Sequence, residues 1–578
     1  MLFTRFFTLA AVTLLLLAAC GKDETAPDGG APSANALLQF APSDTPYLSA
    51  NLQPVPEAVI DRFLQRAEPV LATLQDELVE TRARLEVAAD STDIASQLAL
   101  ALLQELDGKL NRAGLESLGF DLQAPRALYG LGVFPVFRMG LADAEALGAT
   151  VQRVLDHAGL PAPQLEHQGQ AYWRLTLDES DAGGPQVALY IAVLDDHLAV
   201  GAIPAVAEGE MLPHLLGQQS LAPSIAVSRL QAINKRFGFT PYGTGELDLT
   251  RLADELMNAE SSTGRALAAS GIDWPARASE QCRAEIRQII SRAPRAYSGL
   301  TELTPDAIGY RLVFETDLAL AGELAALVAP VPAADALTAR ALEFALGLKV
   351  GAVRDFLREK SAAIAAAPYQ CEHLAGLNEA VRQAHTRLNQ PVPPLVNNFQ
   401  GLRVSLSKVG GSPTAPEGFE GVVAVHVEQP EMFVGMAQMF LPDLAALQLV
   451  KGGPPVRLPD TLVPLPEAVA FAALSENAIG FSLGAAEENR LLPFLQLDAG
   501  PAGAFLSLNY HTALYLDYTE GLAATVANRD AEPDPAHGAA RDIARAARDA
   551  YKAIAGRTDI RLRFTPDGFI VDSRLTFK

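Results

Sequence analysis

An internal repeat constrains the fold of this chain more than any other feature of its sequence. The segment that starts at Val187 aligns without a gap with the segment that starts at Glu467. Pro213 of the first segment meets Pro493 of the second. Self-similarity at a fixed offset is typical of a duplicated structural unit, so we take it as the starting point for the fold.

Weaker matches follow downstream in the same order. Residues 247–250 (LDLT) match 516–519 (LDYT), and the Thr-Pro-Asp triplet at 304–306 recurs at 565–567. Several matches in one order carry more weight than any of them alone. The sequence therefore predicts two tandem copies of one module.

Each copy is predicted to contain a hairpin, a helix and a final pair of strands. In the first copy two apolar runs, 187–194 and 198–203, flank a polar turn, and apolar residues alternate through 308–314. Alternation buries one face of a strand and leaves the other wet. We therefore predict an α+β fold of two modules, 37–320 and 321–578, each with an antiparallel sheet and packed helices.

The first 20 residues have the layout of a secretory signal peptide. One early cation, Arg5, precedes an apolar run over 6–19 that ends at Cys20. This run is shorter than the roughly 20 residues needed to span a bilayer. The polar, Gly- and Pro-rich stretch that follows, 21–36, predicts a flexible tether.

The end of this apolar run resembles the lipobox of bacterial lipoproteins, in the residues Leu17-Ala18-Ala19-Cys20. The resemblance implies that Cys20 is lipidated and anchors the chain to a membrane. Because Gly21 rather than aspartate follows the cysteine, it also implies the periplasmic leaflet of the outer membrane. The general layout is similar to that of large Gram-negative envelope lipoproteins of unknown function.

The charge of the chain excludes one class of partner. The formal net charge is −23 at pH 7. Nucleic acid phosphates and anionic lipid headgroups favour clustered Lys and Arg, and the sequence shows no such patch. We expect no nucleic acid partner, contact with the membrane through the N-terminal lipid, and an envelope protein, lipid or glycan as the possible partner.

Two cysteines remain after Cys20. Cys282 and Cys371 lie in an exported chain, where the oxidising compartment favours a disulfide, and their spacing has no zinc signature. We predict a Cys282–Cys371 disulfide that crosses the boundary between the copies. The alternative is a pair of reduced thiols buried as small apolar groups.

The chain contains no catalytic signature such as a nucleophile elbow, an HExxH motif or a phosphate-binding loop. Asp195-Asp196-His197 combines two carboxylates with an imidazole, which suits metal or general-base chemistry. The aligned residues 475–477 (SEN) lack the imidazole. We therefore interpret both segments as exposed hairpin turns and name no catalytic, cofactor-binding or metal-binding residue.

The leading functional hypothesis is a membrane-anchored periplasmic lipoprotein with a non-enzymatic binding or scaffold role. One alternative is a periplasmic hydrolase of cell-wall or lipid material, with polar residues assembled from distant segments. Another is a carrier that holds an apolar ligand in a cleft between the copies. The position and lining of the largest pocket distinguish these hypotheses.

Overall fold

The structure is a computed structural model of the 578-residue chain. It describes residues 35–578 apart from 69–93, 160–163, 177–186, 220–222, 273–276, 333–339, 410, 413–414, 417–418, 441–443, 445–446, 464–467, 501–502, 515, 517–547 and 550. The predicted signal peptide 1–20 with Cys20 lies outside the described residues, as do Asp517 and Thr519 of the downstream repeat match. In the part that is described, no helix is both long and apolar enough to cross a membrane.

Strands make up much of the fold and are numbered in chain order. They are β1 Tyr47–Ala50, β2 Arg126–Leu131, β3 Phe134–Gly140, β4 Leu165–His167, β5 Gln170–Thr176, β6 Val187–Val193, β7 His197–Pro204, β8 Thr244–Asp248, β9 Arg295–Thr304, β10 Ala307–Glu315, β11 Leu342–Gly347, β12 Phe399–Lys408, β13 Gly411–Ser412, β14 Ala415–Pro416, β15 Glu420–Val427, β16 Val456–Arg457, β17 Ala470–Leu474, β18 Ala478–Leu483, β19 Ala504–His511, β20 Ala555–Thr565 and β21 Gly568–Phe577.

Helices lie between these strands. They are α1 Ile94–Leu106, α2 Arg112–Ser117, α3 Ala144–His157, α4 Glu208–Leu215, α5 Val227–Phe237, α6 Leu249–Met257, α7 Ser262–Ala269, α8 Glu280–Ile290, α9 Leu318–Ala326, α10 Val350–Ala366, α11 Ala375–Leu388, α12 Pro394–Asn397, α13 Pro430–Phe440 and α14 Glu488–Leu495. Residues 57–68 are also helical.

All of these strands except β13 and β14 belong to one 19-stranded sheet. From one edge to the other the order is β4, β5, β6, β7, β3, β2, β1, β8, β9, β10, β21, β20, β19, β11, β12, β15, β18, β17, β16, and each neighbouring pair is antiparallel. The mixed helix-and-sheet class with a large antiparallel sheet is thus confirmed. The pairing of β10 with β21 joins the earlier strands to the later ones.

Local signals in the sequence placed several elements correctly. Asp143 precedes an apolar-periodic segment, which predicts that it caps a helix ending near His157. It accepts a hydrogen bond from the backbone N–H of Ala146 and caps α3. The predicted hairpin is β6 and β7, followed by α4 with Pro213 inside it, and β17, β18 and α14 repeat this order with Pro493. Both Thr-Pro-Asp triplets turn a hairpin, between β9 and β10 and between β20 and β21.

Two hydrophobic cores lie where helices cover the sheet. The larger core includes buried side chains of α4, α5 and the strands under them: Leu212, Leu215, Leu230, Ile233, Phe237, Tyr190, Ala199 and Ile203. The smaller core packs α14 on β15 and β17 through Leu491, Phe494, Leu495, Val422, Ala424 and Phe471. Burying such apolar side chains supplies most of the free energy that holds helix to sheet.

The folded body begins within the last two residues of the predicted tether. Asn35 is buried, and its side-chain amide donates hydrogen bonds to the carbonyls of Asn51 and Arg126 at 2.8 and 2.9 Å. These bonds fix the start of the body against β2. A lipid at Cys20 would therefore be joined to the body through the residues between Cys20 and Asn35.

Candidate functional site

A cavity of about 430 Å³ opens where α5 and α6 meet strands β8 and β9. Its lining consists of Arg229, Ala232, Ile233, Arg236, Phe237, Glu246, Asp248, Arg251, Arg295 and Tyr297. Four arginines and two carboxylates line it, so cations outnumber anions at the cavity wall. We call this site the arginine pocket.

Helix α5 supplies both the floor and part of the rim of the arginine pocket. Ile233 and Phe237, four residues apart, are buried on the face that packs on the sheet. Arg229 and Arg236 are seven residues apart, so they share a neighbouring face of the helix and both line the cavity. Gly238 ends the helix with φ 69°, a left-handed conformation that glycine adopts without strain.

The strands supply the wall beneath α5 through two cross-strand rows. Asp248 lies opposite Arg295, which in turn lies opposite Glu315. In the next row Glu246 lies opposite Tyr297. Residues two apart on a strand share a face of the sheet, so both rows point toward the pocket side.

Arg229 and Arg251 are held next to each other by a neutral acceptor. Nη1 of each donates a hydrogen bond to the backbone carbonyl of Ser43, at 2.9 and 2.8 Å. Nη2 of Arg229 also lies 2.9 Å from a carboxylate oxygen of Glu246. Two cations thus converge on an oxygen that carries no formal charge, and one of them also pairs with a buried carboxylate.

Carboxylates link Arg251, Arg295 and Arg236 into a continuous series of ion pairs. Oδ2 of Asp248 lies 3.5 Å from Nε of Arg251 and 3.2 Å from Nε of Arg295. Glu315 then lies 3.6 Å from Arg295 and 3.0 Å from Arg236. Each carboxylate therefore bridges two guanidinium groups, and the four arginines form one continuous series.

The charges of the arginine pocket are fixed in place by burial and by their partners. Asp248 is buried and also caps α6 by accepting a hydrogen bond from the backbone N–H of Arg251. Burial works to lower the pKa of Arg236, but hydrogen bonds to Asp567 and Glu315 outweigh it and raise the pKa. Burial raises the pKa of Tyr297, so its phenol is neutral. The guanidinium groups therefore stay charged, and each of them has at least one carboxylate partner.

The prediction that Asp195-Asp196-His197 forms an exposed turn is wrong for the histidine. Asp195 and Asp196 are exposed at the turn, but His197 is the first residue of β7 and is 3% exposed. Nη1 of Arg138 lies 2.5 Å from its Nε2, and Oδ1 of Asp196 lies 2.5 Å from its Nδ1. Arginine only donates, so Nε2 accepts and Nδ1–H donates to Asp196.

Arg138, the partner of His197, is itself held in place by buried contacts. Arg138 is fully buried, stacks 4.0 Å from the ring centre of Phe40 and donates to the carbonyl of Leu215 at 2.7 Å. Burial, the first cause, lowers the pKa of His197, and the charge of Arg138 adds to the effect. Among the described residues no group of three or more His, Cys, Asp or Glu side chains could hold a metal ion.

A second buried polar group lies under α14. Arg403 is 2% exposed, donates to the carbonyl of Phe494 at 3.0 Å and stacks 4.1 Å from the ring centre of the same residue. Burial lowers the pKa of Arg403 to about 10, although the charge of Glu343 acts in the opposite direction. Burial and then the charge of Arg403 lower the pKa of His426 to about 4. His426 is therefore neutral at physiological pH.

The predicted cysteine pair lies at disulfide distance. The Cα atoms of Cys282 in α8 and Cys371 before α11 are 4.5 Å apart, and both residues are buried. Glu285 of α8 accepts hydrogen bonds from the backbone N–H groups of Gln370 and Cys371, at 2.9 Å each. The carboxylate and the disulfide together fix the start of α11 against α8.

Sequence reasoning missed the arginine pocket, because its cations lie on three elements and form no cluster along the chain. The cross-strand pairing of Asp248 with Arg295 could have indicated part of the pocket, but only once the register of β8 with β9 is known. Comparison with protein-family models, with curated proteins and with solved structures gives no match. The geometry of the described residues is therefore the basis for a functional proposal.

Proposed function

We propose that the chain is a lipid-anchored envelope lipoprotein that binds an anionic ligand in the arginine pocket without changing it chemically. The observation that carries this proposal is the series of four arginines around a cavity of about 430 Å³. This volume falls within the range of small-molecule pockets, roughly 300–1,000 Å³. Guanidinium groups bind carboxylates and phosphates through paired N–H donors, which gives such a pocket its chemistry.

The contrast between the pocket and the rest of the molecule supports a binding role. The chain carries a net charge of −23, yet cations outnumber anions in the lining of this one cavity. Exposed charges further away than a Debye length of about 10 Å are largely screened, so a small anion in the pocket interacts mainly with its lining, four arginines and two carboxylates. A large polyanion would contact the acidic surface and be repelled. The pocket therefore favours a small anionic group.

The proposed anchor would place this pocket near a membrane. The stretch between Cys20 and Asn35 has an r.m.s. span on the order of 20 Å if it behaves as a flexible chain. Labelling with radioactive palmitate and intact-mass analysis should show acyl chains on the wild-type protein and none on Cys20→Ala. Density fractionation should place the wild-type protein with the outer membrane. An unmodified wild-type N-terminus would exclude the anchor.

The body that carries the pocket is, in this proposal, two tandem copies of one module. Inside β4 and β5 at one edge of the sheet, the order is β6, β7, β3, β2, β1, β8, β9, β10. Inside β16 at the other edge, the order is β17, β18, β15, β12, β11, β19, β20, β21. Helices α4 and α14 follow the corresponding strands β7 and β18. The first copy contributes ten strands, β1–β10. Open sheets rarely exceed about ten strands, so one copy is already close to this limit.

The joint between β10 and β21 supports the duplication independently. Arg311 pairs with Asp572, 261 positions later, and their side chains form an ion pair at 2.5 Å. Pro305 and Pro566 of the two Thr-Pro-Asp turns are also 261 positions apart. A residue therefore meets its own counterpart at the centre of the joint, as in the self-complementary contact of a twofold dimer.

Among the described residues of the second copy, the arginine pocket has no counterpart. Helix α5 lies between α4 and β8, whereas only residues 496–503 separate α14 from β19. The position 261 residues after Arg295 is Gly556. A feature that a duplicated scaffold does not need, and that one copy alone has, is better explained by a function than by folding.

Calorimetric titration of the purified full-length chain tests the binding role. Citrate and inorganic phosphate, at low salt, should bind to the wild type, and Arg251→Gln should weaken binding by about tenfold because one charged fork is lost. Arg287→Gln is the matched control, since Arg287 makes a comparable ion pair with Asp254 on α6 outside the pocket. Equal losses in both variants would contradict the proposal, and turnover of an added ester would favour the hydrolase alternative.

A further inference from the structure

We propose that the arginine pocket takes a phosphomonoester, that is, a phosphate group carried through one oxygen by a small organic body. This inference rests on the proposed function, because it names the ligand class of the same site. The four arginines recognise the phosphate head group, and the organic body fills the remaining volume of the cavity.

The carboxylates that contact the pocket arginines show how many arginines one carboxylate can bridge. Asp248 bridges Arg251 and Arg295, and Glu315 bridges Arg295 and Arg236. A single oxygen of Asp248, Oδ2, lies near both of its guanidinium partners, whereas Glu315 directs one oxygen at each of its own. A phosphomonoester has three terminal oxygens and about −1.5 to −2 charges at pH 7, so it can accept from three or more forks at once. A site with four adjacent arginines suits the group with more oxygens and more charge.

The position of the head group follows from the acceptors within the pocket. Arg229 and Arg251 share the neutral carbonyl of Ser43. Arg229 also pairs with Glu246 at 2.9 Å, whereas Arg251 has only a long contact, 3.5 Å, to the carboxylate of Asp248. Of the four arginines, Arg251 is thus the least tightly neutralised. Arg236 at the other end has two carboxylate partners, Glu315 and Asp567. The phosphate therefore binds at the Arg229–Arg251 end.

The body of the ligand fills the rest of the cavity. The volume of about 430 Å³ exceeds what a phosphate ion alone needs. Ala232, Ile233 and Phe237 give this part an apolar floor. Carbon atoms of a sugar ring or of a glycerol backbone would cover that floor, and covering apolar surface adds to the affinity. We therefore expect an organic phosphomonoester to bind more tightly than inorganic phosphate.

Calorimetric titration of the full-length chain with matched probes tests the inference. Glucose 6-phosphate and gluconate share a six-carbon hydroxylated body and differ in the head group, whereas inorganic phosphate lacks the body. Glucose 6-phosphate should bind at least about tenfold more tightly than gluconate. Its affinity should also rise as the pH passes through about 6, where the phosphate becomes a dianion. Gluconate should show no such rise.

Titrations with two soluble lipids identify the source of the phosphate group. Dihexanoyl phosphatidic acid is a soluble phosphomonoester lipid, and dihexanoyl phosphatidylglycerol is the diester control. Tighter binding of phosphatidic acid than of glucose 6-phosphate would identify a lipid head group, and the reverse order a soluble sugar phosphate. Binding of the diester as tight as that of the monoesters would contradict the inference.

Two variants of the pocket are compared, so that the result can still be interpreted if one of them folds poorly. Arg251→Gln should weaken glucose 6-phosphate binding by about tenfold or more, and Arg229→Lys, which keeps the charge and loses the fork, by several-fold. Arg287→Gln should leave it unchanged. If gluconate binds as tightly as glucose 6-phosphate and Arg251→Gln weakens both, the phosphomonoester is wrong while the anion-binding function stands. If no anion binds the wild type, both proposals fall.

Discussion

The buried His426 predicts a specific pH dependence of stability. It lies on β15, is 3% exposed, and its Nε2 has no hydrogen-bond partner among the described residues. Burial and the neighbouring charge of Arg403 lower its pKa from 6.5 to about 4. In the unfolded chain the imidazole takes up a proton near its ordinary pKa, whereas in the folded chain it does not.

The sign and the magnitude follow from this difference. Because the folded pKa is depressed, the contribution of His426 to stability is complete above pH 6.5 and is lost as the pH falls through 6.5 toward about 4. The difference between the two pKa values corresponds to about 3 kcal/mol over the whole range. Between pH 7.5 and pH 5 the loss amounts to about 2 kcal/mol.

Urea denaturation of the wild type and of His426→Asn at several pH values measures the pH-dependent contribution of His426 to the free energy of unfolding. His197 and His511 also have lowered pKa values, so both proteins should lose stability on acidification. The wild type should lose about 2 kcal/mol more than the variant between pH 7.5 and pH 5. His214→Asn, at a partly exposed position, is the control and should follow the wild type. Parallel curves for wild type and His426→Asn would refute the reasoning.

Three further predictions concern other buried contacts. Glu487→Ala should destabilise the protein by about 3–5 kcal/mol in urea, because it leaves the buried guanidinium of Arg340 without its bidentate partner, and Glu487→Gln should cost less. The hydrogen bond from Arg153, with others, lowers the pKa of Glu105 to about 2, so acid titration should show a loss of stability between pH 4.5 and 2 that Glu105→Gln lacks. Non-reducing peptide mapping should recover the disulfide of Cys282, and its removal should cost at most about 4–5 kcal/mol.

Features set by neighbouring residues were the ones that the sequence predicted well. The cap of α3 at Asp143, the Thr-Pro-Asp turns at 304–306 and 565–567, and the hairpin-plus-helix around Pro213 all depend on local chemistry. Turn residues preset backbone dihedrals, and alternation selects the buried face of a strand. Neither signal needs knowledge of distant parts of the chain, so both can be used before the fold is known.

The arginine pocket depends instead on contacts that no local pattern encodes. Arg229 and Arg251 meet only because both reach the carbonyl of Ser43, which lies far earlier in the chain. Arg295 joins them through the register of β8 with β9. In the sequence, the four arginines are spread over residues 229–295 of an acidic chain and cannot be told from ordinary surface charges. Only the folded sheet brings them to one cavity.

The error about His197 has a physical cause in the side-chain period of strands. Leu194 N–H donates to the carbonyl of His197, whereas in the second hairpin Ser475 N–H donates to the carbonyl of Ala478. The structural counterpart of His197 is therefore Ala478, one residue later than the gap-free alignment gives. Because the period is two, a shift of one residue exchanges the exposed and buried faces, so an alignment that is nearly right in sequence assigns the wrong environment.

A buried arginine lies at the C-terminal end of each helix that follows these two hairpins. The C-terminal end of a helix leaves carbonyl groups without intrahelical partners, and α4 and α14 both end over the sheet. Arg138 from β3 donates to the carbonyl of Leu215, and Arg403 from β12 donates to that of Phe494. The carbonyl groups at both helix ends thus receive a buried guanidinium donor, although the two arginines lie on strands that are not neighbours in the sheet.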